Sequence, residues 1–570
     1  MAQSSDGSQE LLRNSYSGNH WNIQWVELLD QTDHHDELVR VGESTLSEEG
    51  DLHLRGHFFH LTNLETNQSI LIVKQSPSAH SQANPSPFDF RTNLSNGELT
   101  VALYGTGYSD TDEDQSLPYQ YWITEGEGDL WAKWRNHYDD ELQESWLGWS
   151  PDRTGLMMSN TWGDRNRDER ISEDFIKQEI EIAAKIGLDM VQIDDGWQSG
   201  ITSNSGIAPS DGVWEGFHSK RSDFWEPNLE KFPSGLLALN KLAKSFDVEL
   251  SLWFAPDSSD GFKNWKKDVD VLCDIRDRYG INTFKLDGIN IRAKKDEEVV
   301  LAFLDALANA GIHYTLDVTA QKRFGYLTHK NRGLLFVENR YTDWANYYPW
   351  KTLRNLWDLS HFVPARRMQF ELLNNERNVE QYKSASDTNG SDMQLVNGQY
   401  IKVAQRSNID LAPVNVPIDW SFWSVMPSNP LIWMELSGLS DENIDLLNDA
   451  VGVYREIRED LLECYVEPIG ERPDGYSWSG FAWRHQKTDE IKYVLVLKQL
   501  NDKVSGVLSM NATQIDGVSF ARPRKSSPGQ ILECVVSSDG GTGRATFDSD
   551  HVNVEFGDKP WQYGLFKIRR

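Results

Sequence analysis

Three consecutive segments decide the fold of this chain: "LMMSNTW" (156–162), "ISEDFIKQEIEIAAKIG" (171–187) and "DMVQIDDGW" (189–197). The first and third are apolar runs of strand length with polar ends. In the middle segment Ser172 can cap a helix, and residues at helical spacing share one apolar face: Ile176, Ile180, Ala183, Ala184 and Gly187. A strand, a helix and a second strand in this order indicate a parallel βα repeat.

Further along the chain, six more apolar segments have strand length and are mostly separated by helix-length segments. They are "VELSLWFAP" (248–256), "TFKLDG" (283–288), "YTLDVT" (314–319), "LLFVENR" (334–340), "MQFEL" (368–372) and "PLIWMEL" (430–436). Eight parallel strands predict a closed (β/α)8 TIM barrel. A doubly wound sheet is less favoured because no Gly-rich phosphate loop follows the first strand.

The two ends of the chain have a different pattern, with short strand-like runs separated by turn clusters, which is typical of antiparallel sandwiches. We therefore predict three domains: an N-terminal β-sandwich over 1–140, a catalytic barrel over 141–465 and a C-terminal β-sandwich over 466–570. This is a multidomain α/β architecture.

The composition argues against several kinds of partner. The formal net charge is −31 and no Lys/Arg-rich run occurs, whereas nucleic acids and anionic membranes are bound by clustered cations. No apolar run approaches the roughly 18 residues needed to span a bilayer. The three cysteines lie far apart, so neither a disulfide framework nor a cysteine zinc site is predicted. Core packing explains most of the 22 tryptophans, but tryptophan also stacks on sugars, and a neutral carbohydrate substrate fits the acidity.

Polar residues collect at the carboxyl ends of the predicted barrel strands, where active sites of such barrels are built. They are Asn160, Trp162, Asp194, Asp195, Asp257, Asp287, Asp317, Thr319, Glu338 and Asn339. One acidic strand end could be a helix cap, but six or seven in register are hard to explain in that way.

Two aspartates suit the two carboxylate roles of glycoside hydrolysis. Lys285 and Asp287 lie on one face of a strand, and a carboxylate beside a cation stays ionised, as a nucleophile requires. Taken alone, this pair could equally be a structural ion pair. Asp343 follows the sixth strand in the aromatic segment "RYTDWANYY" (340–348), a setting that raises a carboxyl pKa and suits a general acid. The alternative for Asp343 is an exposed loop residue.

Asp194 and Asp195 are adjacent, so in a regular strand they would face opposite ways. At a strand end followed by Gly196 both can turn toward a ligand, and paired acceptors can bind vicinal sugar hydroxyls. A divalent cation is the rival ligand. The sequence has neither the spacing of a calcium loop nor a helical histidine pair, so we predict no metal and no cofactor.

Several segments in a fixed order resemble glycoside hydrolase family 36, the melibiase-type α-galactosidases, and more distantly the lysosomal α-galactosidases. They are "TWGDRNRDERISEDF", "QIDDGWQ", "WEPNLEKFPSGL", "LWFAPD", "FKLDG" and "LSDENIDLLNDAVGVYREIREDL". The resemblance covers about 150–465. It implies a barrel between two β-sandwiches and a retaining mechanism that needs no metal.

The resemblance also implies roles for single residues. The K-x-D nucleophile of the family matches Asp287, and the acid/base aspartate after the sixth strand matches Asp343. Together with the strand-end pattern, it makes these the candidate substrate-binding residues: Asp194, Asp195, Lys285, Trp162, Trp253, Asp257, Arg323 and Arg340.

The chain departs from the family in three places. "TAQKRFG" (319–325) replaces a glycine-rich loop that ends in arginine, keeping at most Arg323. Arg340 stands three residues before Asp343, where the family has four. The N-terminal region is shorter than in many large members, so their tetramer is not implied, although a homo-oligomer is left open.

We therefore predict a retaining exo-α-galactosidase that releases terminal α-D-galactosyl units from oligo- or polysaccharides. Four alternatives stay open: an α-N-acetylgalactosaminidase, another galacto-configured glycosidase such as one acting on algal galactan fragments, a raffinose-type galactosyltransferase, and a catalytically silent carbohydrate-binding protein. A metal-dependent sugar isomerase is less favoured. The opening residues have no apolar core, so we expect a cytoplasmic protein, or a periplasmic one if an export signal has been removed.

Overall fold

The computed structural model of this protein describes most of the chain. The described residues are 10–78, 87–104, 119–127, 129–163, 167–318, 323–339, 347–376, 391–396, 399–404, 415–500, 507–508, 514–515, 518–519, 531–538, 544–548, 551–556 and 559–569.

Nine strands form two antiparallel sheets at the N-terminal end. They are β1 (Glu10–Ser17), β2 (His20–Leu28), β3 (Val39–Ser47), β4 (Gly50–Leu54), β5 (Phe58–Asn63), β6 (Ser69–Gln75), β7 (Phe90–Ser95), β8 (Glu98–Tyr104) and β9 (Gln120–Gly126). One sheet has the order β1-β8-β7-β4 and the other β3-β2-β5-β6-β9. Phe59 of the second sheet stacks on Phe90 of the first at 4.1 Å, in a core shared by the two sheets. This confirms the predicted N-terminal sandwich.

Eight parallel strands then close into a barrel. They are β10 (Met158–Asn160), β11 (Met190–Ile193), β12 (Glu249–Phe254), β13 (Thr283–Leu286), β14 (His313–Asp317), β15 (Leu334–Phe336), β16 (Met368–Leu372) and, after the hairpin β17 (Ser391–Val396) and β18 (Gln399–Ala404), β19 (Asn429–Trp433). Each barrel strand pairs with the next barrel strand, so that β16 pairs with β19, and β19 closes the barrel by pairing with β10. Each lies within one of the eight predicted segments or overlaps it, so the predicted barrel is confirmed.

The helices among the described residues are α1 (Leu130–Ser145), α2 (Glu173–Ile186), α3 (Phe217–Lys220), α4 (Gly235–Ser245), α5 (Ser259–Phe262), α6 (Trp265–Tyr279), α7 (Lys294–Asn309), α8 (Pro349–Leu359), α9 (Ile418–Val425) and α10 (Asp441–Leu462). Short 3-10 turns occupy Thr32–His34, Pro151–Arg153, Pro209–Asp211, Ala365–Arg367 and Leu436–Gly438. Within these described parts, no helix has the length and apolar character that a bilayer span requires.

Helix α2 forms as its sequence predicts. The Ser172 hydroxyl accepts a hydrogen bond from the Phe175 amide at 3.4 Å, and Gly187 ends the helix with a φ of 91°. Glu179 is also buried on the inner face, which the apolar pattern did not predict. Its carboxylate accepts the amides of Leu436 and Ser437 at 2.7 and 2.9 Å, so that α2 holds the segment that follows β19.

The N-terminal sandwich packs against the barrel between β14 and β15. The described residues 323–333 of that connection contain turns, where a regular βα unit would have a helix. Thr328 and Lys330 donate to the backbone and side-chain oxygens of Gln75 at 3.1 and 2.7 Å. The Tyr326 hydroxyl donates to the Leu29 carbonyl at 2.9 Å. One face of the sandwich therefore covers the barrel where this helix would lie.

The C-terminal end is again antiparallel. Its strands are β20 (Cys464–Gly470), β21 (Trp478–His485), β22 (Ile491–Lys498), β23 (Val507–Leu508), β24 (Gln514–Ile515), β25 (Val518–Ser519), β26 (Ile531–Ser537), β27 (Arg544–Asp548), β28 (His551–Glu555) and β29 (Tyr563–Arg569). The main sheet has the order β20-β21-β22-β29-β26. The predicted joint at 140 falls inside α1, and the one at 465 falls at the start of β20.

Candidate active site

Lys285 is the centre of the polar rim. It is the third residue of β13, and its side chain is 3% exposed. Its ammonium lies 3.2 Å from Asp194 and 3.5 Å from Asp317, at the ends of β11 and β14. The same nitrogen lies 4.6 Å from the Trp433 ring centre and 5.2 Å from that of Phe336. One lysine thus links five barrel strands.

The surrounding carboxylates keep Lys285 charged. Burial alone would lower the pKa of its ammonium, but four carboxylates raise it well above its usual value: Asp194, Asp317, Asp287 and Glu338. Lys285 forms its ion pairs with Asp194 and Asp317. The sequence pattern had instead suggested a pair with Asp287, two residues along the same strand. The strand-end carboxylates therefore outnumber the lysine that they surround, and their oxygens can also accept from a ligand.

Asp287 is held by donors on both oxygens. Its Oδ1 accepts the Gly288 amide at 2.6 Å and lies 3.4 Å from the Arg323 guanidinium, while Oδ2 accepts the indole N–H of Trp253 at 3.2 Å. Arg323 is itself fixed by a hydrogen bond to the Ile289 carbonyl. The Asp287 side chain is 14% exposed, so the carboxylate is oriented and still open to a ligand.

The glycine of "FKLDG" is required by the backbone and by close packing. Gly288 has a φ of 67°, and a Cβ there would lie 3.2 Å from the Trp214 ring. Trp214 is one of several aromatic residues around Trp253, with its ring centre 6.1 Å away, while that of Trp225 is 5.9 Å away. The predicted pocket residue Trp253 thus joins an aromatic cluster to Asp287.

Asp194 and Asp195 face different surroundings. Asp194 accepts from Asn160 at 2.8 Å and from the central lysine. Asp195 instead accepts from Gln198 at 2.7 Å and from the Thr202 hydroxyl. Burial raises the pKa of the Asp195 carboxyl to about 7. Only Asp194 meets the lysine at the centre of the rim, and Asp195 holds the loop that follows β11, because adjacent residues leave a strand in opposite directions.

Asp257 is completely buried and also organises a loop. Its oxygens accept from the Gly216 amide at 2.7 Å, the Ser259 amide at 3.2 Å and the Asn264 side chain at 2.9 Å. Burial would raise the pKa of this carboxyl, but these hydrogen bonds lower it below its usual value. In the structure the Asp257 carboxylate accepts hydrogen bonds from Gly216, Ser259 and Asn264 of the same chain. Substrate binding by Asp257 stays a prediction.

Trp162 is half-buried against the apolar cluster inside the barrel. The backbone N–H of Trp162 donates to the Asn160 side-chain oxygen at 2.7 Å, which fixes the chain where it leaves β10. Arg340 and Asp343 lie outside the described residues, so the separation between Asp287 and the predicted acid/base stays untested.

Glu371 is a buried acid that the sequence analysis did not select. It lies on β16 with no exposed surface, and its Oε1 accepts the backbone amide and the side-chain N–H of Asn339 at 2.9 and 3.0 Å. Burial raises the pKa of this carboxyl to about 8. The feature of the sequence that could have indicated Glu371 is its position as a single acidic residue in the apolar strand "MQFEL" (368–372). Glu371 anchors the backbone where the chain leaves β15.

The fold and the site together define a (β/α)8-barrel protein with a carboxylate-rich cluster at the carboxyl ends of its strands. Comparison with known protein families finds no match. Comparison with curated proteins finds none either.

Solved structures do share the fold. The family 36 α-galactosidase AgaA from Geobacillus stearothermophilus superposes with a TM-score of 0.64 at 11% identity, over 98% of this chain and 76% of that one. An α-galactosidase from Lactobacillus brevis gives 0.57 at 10% identity, over 98% and 75%. A family 97 glycoside hydrolase from Pseudoalteromonas sp. gives 0.51 at 13% identity, over 96% and 79%. At these identities the likeness establishes the three-part fold.

Proposed function

We propose that this protein is a member of glycoside hydrolase family 36 and a retaining exo-α-galactosidase. The observation that carries the proposal is the Asp287 carboxylate, which donors hold on both oxygens at the mouth of the barrel. Variants of the structurally similar AgaA have been solved with raffinose and with stachyose, which supports a galactoside as the substrate class.

The central lysine and its carboxylates would bind the galactosyl unit. Asp194 accepts a hydrogen bond from Lys285, and Asp317 lies 3.5 Å from the same ammonium. A carboxylate has about four lone-pair sites, so each of the two would also accept from a sugar hydroxyl. The ammonium has a third proton for a sugar oxygen. The half-buried Trp162 ring supplies apolar surface for the C–H face of the sugar, whereas the buried Trp253 holds Asp287 through its indole N–H.

In the first chemical step an Asp287 oxygen attacks C1 of the galactosyl unit. The bond from C1 to the leaving oxygen breaks, and the Asp343 carboxyl gives its proton to that oxygen. A β-linked galactosyl ester of Asp287 and a free alcohol result.

In the second step the Asp343 carboxylate takes a proton from water. The water oxygen attacks C1, the ester bond to Asp287 breaks, and galactose leaves in the α configuration. This mechanism requires the two carboxyl groups to lie about 5 to 5.5 Å apart.

The decisive experiment compares wild type, Asp287→Asn and Asp277→Asn on a panel of aryl α-glycosides and natural oligosaccharides. Asp277 is an exposed aspartate of α6 and serves as the matched control. We expect wild type and Asp277→Asn to release α-galactose first, as seen by NMR, and Asp287→Asn to lose roughly 1,000-fold or more in kcat.

β-Galactose as the first product, or activity of Asp287→Asn above a few per cent, would contradict the mechanism. An aryl α-N-acetylgalactosaminide in the panel tests whether the altered loop 319–325 changes the sugar. A sugar acceptor in a parallel reaction tests for galactosyl transfer.

A further inference from the structure

A long loop follows β11 and is held near its start by the buried Asp195. It is the connection between β11 and α3, residues 194–216, called here the β11–α3 loop. The Thr202 hydroxyl donates to the Asp195 carboxylate. Next to Thr202, the Val213 amide donates to the Ile201 carbonyl at 3.1 Å. The last residues of the loop are thereby tied to the segment that Asp195 holds.

The far end of the loop is held by a second buried carboxylate, Asp257. The Gly216 amide donates to Asp257 at 2.7 Å. The Glu215 carboxylate accepts from the Ser258 hydroxyl at 3.2 Å and from Arg292 at 2.7 Å. Because Ser258 and Arg292 belong to the connections that follow β12 and β13, the loop spans the carboxyl ends of three neighbouring strands.

Trp214 lies between these two anchors and packs on the turn that follows Asp287. A Cβ on Gly288 would lie 3.2 Å from Cζ2 and 3.4 Å from Cε2 of the Trp214 ring. The ring centre of Trp214 lies 6.1 Å from that of Trp253, with the ring planes at 41°. Its buried indole nitrogen has no hydrogen-bond partner in the part of the chain that the structure describes, so Trp214 acts on these neighbours through packing.

Both neighbours of Trp214 are donors to the Asp287 carboxylate. The Gly288 amide donates to Oδ1 at 2.6 Å, and the Trp253 indole donates to Oδ2 at 3.2 Å. Gly288 has no side chain of its own, so the position of this turn depends on the groups packed against it. Trp214 thus supports two of the groups that orient Asp287.

We propose that Trp214 is a positioning residue for the Asp287 nucleophile, and that Asp195 and Asp257 act through the β11–α3 loop to hold Trp214 in place. This inference rests on the proposed function for the role of Asp287. It gives Asp195 and Asp257 a part in the reaction that needs no contact with the sugar, because both carboxylates accept hydrogen bonds from the loop.

The first test measures kcat and KM separately on an aryl α-galactoside. We expect Trp214→Ala to lower kcat about 10-fold or more and to leave KM within about 3-fold, because a displaced nucleophile attacks C1 more slowly while the contacts to the sugar remain. Trp214→Phe keeps an aromatic ring beside the turn and should recover most of kcat. A Trp214→Ala variant that keeps the kcat of wild type would overturn the inference.

A double-mutant cycle tests the route through the loop. Thr202→Val removes the hydrogen bond to Asp195 at nearly constant shape, so we expect kcat to fall about 3-fold or more. If Thr202 acts through Trp214, the double variant should have the kcat of Trp214→Ala within about 2-fold. Losses that multiply in the double variant would show that Asp195 acts by another route.

Hydrogen–deuterium exchange tests the same inference without a substrate. Trp214→Ala should raise the exchange rate of the Gly288 amide about 10-fold or more, since the turn loses its packing. Trp146→Ala is the matched control. Trp146 is also half-buried, but its indole donates to the Gly333 carbonyl at 2.7 Å, at the amino end of β15. This control should leave both kcat and the exchange unchanged.

The two measurements separate the inference from the proposed function. Unchanged exchange at Gly288 in Trp214→Ala would overturn the inference. Faster exchange there, in a protein whose wild type cleaves no α-galactoside, would refute the proposed function and still show that Trp214 holds the turn beside Asp287.

Discussion

Two buried lysines, Lys74 in the N-terminal sandwich and Lys285 in the barrel, each form a lysine–carboxylate ion pair, but the two pairs have different roles. Lys74 in the N-terminal sandwich is fully buried, and its ammonium lies 2.6 Å from Asp89. The second Asp89 oxygen accepts the Gly56 amide at 3.0 Å. Lys285 in the barrel is 3% exposed and has carboxylates at 3.2 and 3.5 Å.

The difference lies in the balance of charge. Lys74 pairs with one carboxylate, whose other oxygen is used by the backbone, so this pair is complete within the protein. The pKa of Lys285 is raised by four carboxylates, which still outnumber Lys285 and the Arg323 guanidinium beside Asp287. Desolvating several like charges is costly, and a bound sugar would supply donors for them. A balanced buried pair thus indicates a structural role, and an unbalanced cluster indicates a binding site.

The largest expected effect comes from replacing the two lysines. Lys285→Met removes donors to the sugar and leaves Asp194 and Asp317 without their shared cation, so we expect kcat/KM for an aryl α-galactoside to fall roughly 100-fold or more. Lys74→Met leaves Asp89 buried without its cation and should cost about 3 to 5 kcal/mol in the free energy of unfolding.

Urea unfolding measures the stability of both variants. Their kcat/KM values are then compared at urea concentrations below the unfolding transition, where both variants are folded. Lys74→Met should keep the kcat/KM of wild type under those conditions. Equal losses of activity in both variants would mean that the two lysines have the same role.

The next effect concerns Glu371, a buried acid that keeps its proton. Burial raises the pKa of its carboxyl to about 8 from the ordinary 4.5, so the folded protein retains a proton that the unfolded chain releases between these values. The free energy of unfolding should therefore fall as the pH rises through this window, by up to about 1.4 kcal/mol per pH unit.

Glu371→Gln removes this titration and keeps an oxygen for Asn339, so the fall in stability with pH should become shallower. Urea unfolding at several pH values between about 5 and 8 measures it. Glu442→Gln, on the exposed surface of α10, is the control and should follow wild type. An unchanged slope in Glu371→Gln would show that Glu371 is ionised across this range.

The smallest expected effect comes from changing Gly288, the residue that forms the turn directly after Asp287. Gly288→Ala adds a Cβ at a φ of 67° and 3.2 Å from Trp214, so we expect a loss of about 1 to 2 kcal/mol in stability and about 10-fold in kcat/KM through displacement of Asp287. Gly311→Ala has the same backbone strain at a φ of 72° but no atom within 4 Å of its Cβ. It should lose stability without losing kcat/KM. A Gly288→Ala variant with normal kcat/KM would show that Asp287 is positioned independently of this turn.

Much of the fold was predictable from local patterns. Apolar runs of strand length, separated by helix-length segments, predicted all eight barrel strands, and the Ser172 cap and Gly187 stop of α2 are found as predicted. The turns and the packed sandwich between β14 and β15 were not predicted, because their stability comes from contacts with a distant domain. Contacts such as that between Thr328 and Gln75 leave no signal in either segment.

The candidate site divides in the same way. Strand periodicity and the position of strand ends were sufficient to select Lys285, Asp287 and Asp194, because the carboxyl ends of parallel strands meet at one rim. The direction of each side chain and its partners required the folded chain. Asp195 turns to Thr202, and Lys285 pairs with Asp317 on the next strand. Such pairings depend on register and burial across segments distant in sequence, and no local pattern encodes them.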